Sequence, residues 1–199
     1  CRDIRELTDL ASVLPLSVPL RGSRVGIVSS SGGAAVMMTD ACADHGLEVP
    51  AFAGDTIETL SAILPPFVGY ANPVDYGPVY ADPDRIEAAL HAVARDRGVD
   101  VVLFFLGLSP AMAGVIEPRL ARVQQRHGKQ VFAVWMAGPD GALHGLRTHG
   151  VAAFDDVTRA VVALSHLARA GTVPRAPDAD AGDPARAEAT RRILRAAMA

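Results

Sequence analysis

Two uninterrupted apolar runs constrain the fold of this 199-residue chain more than any other feature. One run is Val101–Leu106 and the other is Val131–Met136, and neither alternates between apolar and polar residues. A strand with one face in water shows such an alternation, whereas a strand covered on both faces does not. The two runs therefore predict a parallel sheet with helices packed on each side.

Strand-like segments alternate with amphipathic helices along most of the chain. The predicted strands are Val25–Ser29, Glu48–Ala53, Val101–Leu106, Val131–Met136 and Ala152–Phe154. The predicted helices are Ala34–His45, Thr56–Leu64, Asp82–Arg97, Pro110–His127 and Asp156–Ala170, and most of them end before a glycine. This alternation predicts an α/β fold, a three-layer flavodoxin-like or Rossmann-like domain with a mainly parallel five-stranded sheet of order 2-1-3-4-5.

The chain divides into one predicted domain and a C-terminal extension. Residues 1–171 form the domain, in which 1–22 are a lead-in with a short helix, Ile4–Leu14, and a proline-containing extended stretch. Residues 172–184 are rich in Pro, Ala and Asp, a composition that predicts a linker. Residues 185–199 predict a helix, Ala185–Met198, that cannot form a core of its own, so we expect it to lead into a further domain.

Composition excludes several classes of function. A net charge of −3 and a pI near 6.1 give no electrostatic basis for binding nucleic acid or an acidic membrane surface. The two cysteines, Cys1 and Cys42, have no metal-site spacing and predict no disulfide framework. No segment resembles a signal peptide or a membrane span, so we expect a cytoplasmic location.

No catalytic group is recognisable in the sequence. The chain has no Gly-x-Ser-x-Gly motif, no paired carboxylates and no metal-ligand spacing. The six histidines lie within predicted helices, at helix ends or beside glycines, where we expect structural or solvent-facing roles. We therefore predict that this chain carries neither a catalytic residue nor a metal site.

A small-residue turn, Ser29-Ser-Ser-Gly-Gly-Ala34, joins the first predicted strand to its helix. Such a turn points backbone N–H groups and the positive end of a helix dipole at one place, which suits an anion, above all a phosphate. The same glycines can also serve only to turn the chain, and both interpretations stay open at this point. The turn matches neither the dinucleotide fingerprint nor a Walker A loop.

Two further loops follow strands of the predicted sheet. Tyr70–Gly77 contains Asn72-Pro73 and Asp75, and it suits either an ordinary turn or a loop that closes over the ligand crevice. Gly107-Leu-Ser-Pro110 follows the third core strand and predicts a helix N-terminus after Ser109, either as a simple cap or as part of a site. Ligands of open parallel sheets gather at this carboxyl edge of the strands.

The combination of these motifs resembles the ADP-forming (NDP-forming) acyl-CoA synthetases, which include acetate–CoA ligases. The resemblance rests on Val25–Val49 with its Gly-Gly turn, on Thr56–Phe67 with its Leu-Pro-Pro stop, and on Ala71-Asn-Pro-Val-Asp75. It covers roughly residues 3–170. Within the family, the chain is similar to the ligase-CoA flavodoxin-like domain, which is related to the C-terminal domain of the succinyl-CoA synthetase β subunit.

The resemblance implies a role at a composite active site that converts carboxylic acid, CoA and ATP to acyl-CoA, ADP and phosphate through a phosphohistidine. By position, the groups that would hold the phosphate belong to Ser30, Ser31, Gly32, Gly33 and Ala34. The substrate loops would be formed by Asn72, Asp75, Gly107, Leu108 and Ser109, the last three bordering the acyl carboxylate.

The same resemblance implies which parts of the reaction lie elsewhere. CoA, ATP or ADP, Mg²⁺ and phosphate serve the whole enzyme, with none bound by this domain alone. The implied partners are a CoA-binding domain, a phosphohistidine-bearing domain, an ATP-grasp domain and a small carboxylic acid. The histidine motif of the family is absent here, so we expect the isolated chain to be inactive. The alternative is a non-catalytic module that binds a small anion or docks to a partner for regulation.

Overall fold

The computed structural model describes residues 1–16 and 18–172 as helices packed on both faces of one parallel sheet. The strands are β1 (Val25–Ser29), β2 (Val74–Asp75), β3 (Val101–Leu106), β4 (Val131–Trp135) and β5 (Ala152–Phe154). The helices are α1 (Ile4–Val13), α2 (Gly32–Asp44), α3 (Gly54–Ile63), α4 (Pro83–Arg95), α5 (Ile116–His127), α6 (Ala142–Thr148) and α7 (Val157–Thr172). Short 3-10 turns occupy Leu14–Leu16, Gly77–Val79 and Pro110–Met112.

The sheet has the predicted order, β2-β1-β3-β4-β5, and every pairing is parallel. Residues of β3 and β4 are buried along their whole length, as their continuous apolar runs predict. Alternate side chains of each strand enter one of two cores, so that Phe104 and Phe105 lie on opposite faces of the sheet. The α/β fold class and its three layers are confirmed.

The identity of the second strand was predicted wrongly. Glu48–Ala53 makes only one bridge to the sheet, from Glu48 to Arg24, and β2 is instead Val74–Asp75, which pairs with Val28 and Ser29. The reason is the Asn72 side chain, which occupies the backbone groups of β1 with which a neighbouring strand would pair. It accepts a hydrogen bond from Ile27 N at 2.9 Å and donates one to Val25 O at 2.8 Å. Asn72 also donates to Pro50 O at 2.9 Å and thereby links the predicted strand to β1 indirectly.

Helix boundaries follow the predicted caps at some ends and not at others. Asp82 caps α4 with Pro83 at its first position, and Gly128 ends α5 in the left-handed conformation, as predicted. The predicted helix start at Thr56 is wrong, because α3 begins at Gly54 and its N-cap is Ala53. The predicted helix start at Pro110 is also wrong, since a short turn and Gly114 at φ 75° precede the true start of α5.

The lead-in helix α1 packs against α7 through a buried carboxylate. Asp9 accepts hydrogen bonds from Arg159, and that ion pair raises the pKa of the Arg159 guanidinium.

The predicted end of the last helix before Gly171 is wrong, because α7 includes Gly171 and continues to Thr172. Glycine at position 171 leaves room for Leu20 O, which a side chain there would meet. The rest of the predicted linker and the helix at 185–199 lie outside the described residues. In the part of the chain that is described, no helix combines the length and apolar character needed to cross a bilayer.

Candidate functional site

Three loops that follow β1, β2 and β3 meet at the carboxyl edge of the sheet. The amide of Ser30 donates to Phe105 O at 3.2 Å, which joins the ends of β1 and β3. The amide of Tyr76 donates to Ser29 O at 2.8 Å, which joins the loop after β2 to the end of β1. The structure therefore brings together the three segments that the sequence placed at this edge.

The turn between β1 and α2 is held by its own serines. Ser29 Oγ accepts from the amide of Ser31 at 3.1 Å and donates to the carbonyl of Ser31 at 2.7 Å. Ser31 is the N-cap of α2, and its Oγ accepts from the amide of Ala34 at 3.4 Å. The backbone amides of Ser31 and Ala34 are therefore occupied inside the turn.

The amides of Gly32 and Gly33 remain available. Neither has a hydrogen-bond acceptor among the described residues, and both glycines are exposed to solvent. They are the first two residues of a 13-residue helix that has no acidic side chain in its first turn. Unsatisfied N–H groups at a helix N-terminus carry the positive end of the helix dipole and favour an anion. These two glycines form the anion-receptive end of α2.

Asp75 lies beside this end of α2. Its Oδ1 accepts from the amide of Gly77 at 2.8 Å, and its Oδ2 lies 3.2 Å from the place where a Cβ would stand at Gly32. A side chain at position 32 would therefore press on the carboxylate, whereas one at Gly33 would meet only Ser31 Oγ, at 3.9 Å. The open space at Gly33 lets a ligand approach the backbone closely.

The Asn72 side chain supports the site through hydrogen bonds to the backbone and does not face a ligand. All of its side-chain hydrogen bonds go to backbone groups of Val25, Ile27 and Pro50. Because these bonds fix the start of the segment that carries Asp75, Asn72 positions the loop. Both N–H donors of its amide are engaged in this arrangement, so neither is left for an anion.

The loop after β3 differs from the sequence prediction in one respect. The amide of Gly107 donates to Ser30 Oγ at 3.1 Å, so the loop is tied to the turn before α2. Ser109 is buried and starts only a 3-10 turn, while α5 begins at Ile116. The edge therefore has no second helix N-terminus at Ser109. Leu108, with 78% of its surface exposed, is the group of this loop that faces solvent.

Tyr76 is a residue of this site to which the sequence assigned no role. It is fully buried, its ring stacks on Phe104 with centroids 5.7 Å apart, and its hydroxyl donates to Phe105 O at 2.9 Å. Burial raises the pKa of the Tyr76 phenol above its ordinary value. An aromatic residue directly after Asn-Pro-Val-Asp is the only sequence signal, and it does not show which strand the side chain reaches.

Two of the histidines form a pairing that the sequence did not predict. His91 on α4 and His127 on α5 share a hydrogen bond between Nδ1 and Nε2 at 2.9 Å. His91 also lines a surface depression together with Glu87, Arg122 and Arg126. Among the described residues, no group of three or more His, Cys, Asp or Glu side chains could hold a metal ion.

Comparison with known proteins gives a match that covers most of the domain. Residues 25–167 match the family model described as the ligase-CoA domain. The "Acetate--CoA ligase [ADP-forming] I" of Archaeoglobus fulgidus is 32% identical over 169 residues, which are 83% of this chain and 23% of that protein. The "Acetate--CoA ligase [ADP-forming] II subunit alpha" of Pyrococcus furiosus is 29% identical over 179 residues, 83% of this chain and 38% of the subunit.

A solved structure shows the same fold. It is the dinucleotide-forming acetyl-coenzyme A synthetase 1 of Candidatus Korarchaeum cryptofilum in complex with phosphate and ADP, with a TM-score of 0.74 and 22% identity. The superposition covers 88% of this chain and 40% of that one. The chain thus spans about a quarter to two fifths of the length of these proteins.

Proposed function

This chain belongs to the ligase-CoA domain family, and we propose that it serves as one domain of an ADP-forming acyl-CoA synthetase. In the proposed reaction a carboxylic acid, CoA and ATP give acyl-CoA, ADP and phosphate. The contribution of this domain is to hold the phosphoryl group as it moves between partners. The observation that carries the proposal is the pair of free amides of Gly32 and Gly33 at the N-terminus of α2.

The chemistry of this helix end suits a transferring phosphoryl group. Backbone N–H groups that are already oriented stabilise developing negative charge without reorganisation, and each such donor contributes about 1–3 kcal/mol in related oxyanion sites. The site needs no lysine or arginine cluster, which agrees with the acidic pI near 6.1. Support also comes from the structural neighbour, whose own complex contains phosphate and ADP.

Asp75 restricts which phosphate compound fits. Its Oδ2 lies next to Gly32, so a ligand at the free amides meets a hydrogen-bond acceptor on one side. A phosphorylated imidazole whose second ring nitrogen is protonated satisfies both groups, because its phosphoryl oxygens accept from the amides and that ring N–H donates to the carboxylate. We therefore assign the α2 end to a phosphohistidine that a partner domain presents.

The acyl group would lie on the side of the loop after β3. Leu108 exposes its side chain there, whereas the Gly107 amide is engaged by Ser30 Oγ. In this arrangement Leu108 offers apolar contact to the acyl chain, and the backbone of Gly107 and Ser109 shapes the border of the pocket. We assign CoA, ATP and Mg²⁺ to the partner domains, as the resemblance to the acyl-CoA synthetases implies.

Thioester formation in the complete enzyme tests the proposal. Gly33→Asp places a carboxylate in the first turn of α2, where it favours the helix but repels a phosphoryl group. Gly54→Asp is the matched control, because Gly54 opens α3 with free space around it and its neighbour Ala53 hydrogen-bonds Asp96 at the end of α4. We expect Gly33→Asp to lower the rate by about 100-fold or more, as loss of an oxyanion donor does.

The control should retain the rate of the unmodified enzyme. Equal rates for the Gly33→Asp variant and the unmodified enzyme would remove the phosphate role. Phosphate binding with no turnover in any assembly that contains this chain would favour the regulatory module instead.

A further inference from the structure

One carbonyl oxygen, Phe105 O, is the point at which the three loops of the site converge. It accepts from the Ser30 amide at 3.2 Å and from the Tyr76 hydroxyl at 2.9 Å. Tyr76 also donates its own backbone N–H to Ser29 O at 2.8 Å. A single residue therefore holds the ends of both β1 and β3, one through its backbone and one through its side chain.

The Tyr76 side chain is held both at its ring and at its hydroxyl. The side chain is fully buried and stacks on Phe104 with an interplanar angle of 8°. Its hydroxyl has a defined acceptor, so neither the ring nor the residue before it can shift without losing a hydrogen bond. That preceding residue is Asp75, whose carboxylate lies beside Gly32.

We propose that Tyr76 is a positioning residue that sets the placement of Asp75 relative to the free amides of Gly32 and Gly33. Its hydroxyl acts through Phe105 O, and the same carbonyl receives the Ser30 amide that leads into α2. The Asp75 carboxylate and the α2 amides are thereby both positioned relative to one atom of β3, Phe105 O. This inference rests on the proposed phosphate role of the α2 end.

The effect of removing the hydroxyl follows from these contacts. Tyr76→Phe keeps the ring, its stacking and the backbone bond to Ser29, and it removes the hydroxyl bond to Phe105 O together with the side-chain hydrogen bond to Ser30. The loop after β2 then keeps its backbone pairing with β1 but loses the hydroxyl tie to β3, so Asp75 is held less firmly against Gly32. Since a preorganised site loses affinity when its groups are no longer held, phosphate binding should weaken while the fold persists.

Tyr70→Phe provides a matched control. Tyr70 lies in the connection between α3 and β2, ahead of the loop that carries Tyr76, and its hydroxyl donates to a backbone carbonyl, Pro65 O, at the same 2.9 Å. The substitution therefore removes a tyrosine hydroxyl hydrogen bond of equal length outside the three loops of the site. A general effect of losing such a bond will appear in both variants, whereas an effect on the position of Asp75 will appear only in Tyr76→Phe.

The experiment is an NMR titration of the ¹⁵N-labelled chain with inorganic phosphate, together with amide hydrogen exchange. We expect Tyr76→Phe to weaken phosphate binding at the Gly32 and Gly33 amides by about tenfold. Amide exchange of Ser30 and Gly107 should increase, while the amides of β3 and β4 keep their protection. Tyr70→Phe should match the unmodified chain in both measurements.

Phosphate affinity of Tyr76→Phe within about twofold of the unmodified chain, or unchanged exchange at Ser30 and Gly107, would overturn the inference. If the unmodified chain shows no phosphate response at Gly32 and Gly33, the proposed function itself fails, and this inference fails with it. If Tyr76→Phe does not fold, Ser30→Ala tests the same junction, because it removes the acceptor of the Gly107 amide and leaves the tyrosine in place. Its phosphate affinity should also fall, and an unchanged value would overturn the inference.

Discussion

Asp75 and Gly32 are in contact: Asp75 Oδ2 lies 3.2 Å from the position that a Cβ would take at Gly32. Glycine at this position keeps a carboxylate next to the exposed N-terminus of α2 without a steric clash. The contact places one fixed acceptor beside two free donors. The site therefore suits a ligand that carries both an anionic group and an N–H or O–H, which a simple anion site would not require.

Substitution of Gly33 by alanine should raise the stability of the chain while it weakens phosphate binding. It lies in the first turn of α2 with no positive φ and with open space where a methyl group would stand. Gly33→Ala should therefore stabilise the chain by about 0.5–1 kcal/mol, because alanine loses less backbone entropy in a helix. The added methyl group should hinder close approach of a phosphoryl group to the amides.

Urea unfolding and phosphate titration of the same Gly33→Ala sample check both parts. A variant that is more stable and binds phosphate as tightly as the unmodified chain would contradict the proposed close approach. Gly54→Ala at the start of α3 is the control, with a similar gain in stability and unchanged phosphate binding.

Asn72 should be among the least replaceable polar residues of the domain. Asn72→Asp keeps an acceptor for Ile27 N but removes the donors to Val25 O and Pro50 O and turns a carboxylate toward both carbonyls. We expect a loss of about 2–4 kcal/mol, because buried acceptors lose their partner and meet a like charge. Urea unfolding measures this loss, and Ser61→Ala on exposed α3 should change stability by less than about 0.5 kcal/mol. A loss for Asn72→Asp as small as that of the control would show that β1 does not depend on this side chain.

The His91–His127 pair should make stability depend on pH. Burial lowers the pKa of both imidazoles below the ordinary value of about 6.5, and the ion pair of His91 with Glu87 opposes this shift only in part. Arg122, Arg126, Arg95 and Lys129 add positive charge around the pair. Because the unfolded chain then binds protons more tightly than the folded one, the stabilisation is complete above about pH 6.5 and is lost as the pH falls toward the folded pKa values.

Urea midpoints measured between pH 7.5 and 5 test this dependence. His127→Gln, which cannot be protonated, should flatten the decrease that begins near pH 6.5 while leaving the carboxylate-dependent loss near pH 4. That later loss arises from Glu87, Asp96 and Asp100, whose pKa values lie below their ordinary ones. An identical pH profile for the variant and the unmodified chain would exclude the pair as its cause.

The two cysteines should differ sharply in reactivity. Cys42 on α2 is fully buried, and burial raises the pKa of its thiol to about 12, whereas Cys1 is exposed. Because the thiolate is the nucleophile, iodoacetamide at pH 8 should alkylate Cys1 and leave Cys42 unmodified in the native protein. Peptide mass spectrometry with and without urea checks this expectation. Alkylation of both thiols at similar native rates would show that α2 opens readily.

The sequence predicts those parts of the fold whose residues are apolar in a continuous pattern. β1, β3, β4 and β5 lie where the apolar segments place them, and the strand order follows from their alternation with helices. β2 was missed because two residues carry no periodicity and because its neighbour at the sheet edge is the Asn72 side chain. A sequence indicates strands through the periodicity of its apolar side chains, and this periodicity does not show that the Asn72 side chain occupies the place of a strand.

The meeting of the three loops at one edge of the sheet was predictable from the sequence, but their hydrogen bonds were not. Glycines after a strand indicate an anion site, yet only the hydrogen bonds show that the Ser31 and Ala34 amides are occupied and that those of Gly32 and Gly33 are not. The cap signal of Ser109-Pro110 is the same for a 3-10 turn as for an α-helix, so the sequence predicted a second helix dipole that is absent. Tyr76 reaches Phe105 O across the sheet edge, and that contact depends on tertiary structure alone.

The proposed function requires that the N-terminus of α2 holds a phosphoryl group through Gly32 and Gly33. A titration of the ¹⁵N-labelled chain with inorganic phosphate at constant pH and ionic strength, with chloride as the reference anion, tests this requirement. We expect saturable shifts of the Gly32 and Gly33 amide resonances that are abolished by Gly33→Asp and kept by Gly54→Asp. Unchanged glycine resonances, or phosphate shifts confined to the arginines of α5, would contradict it.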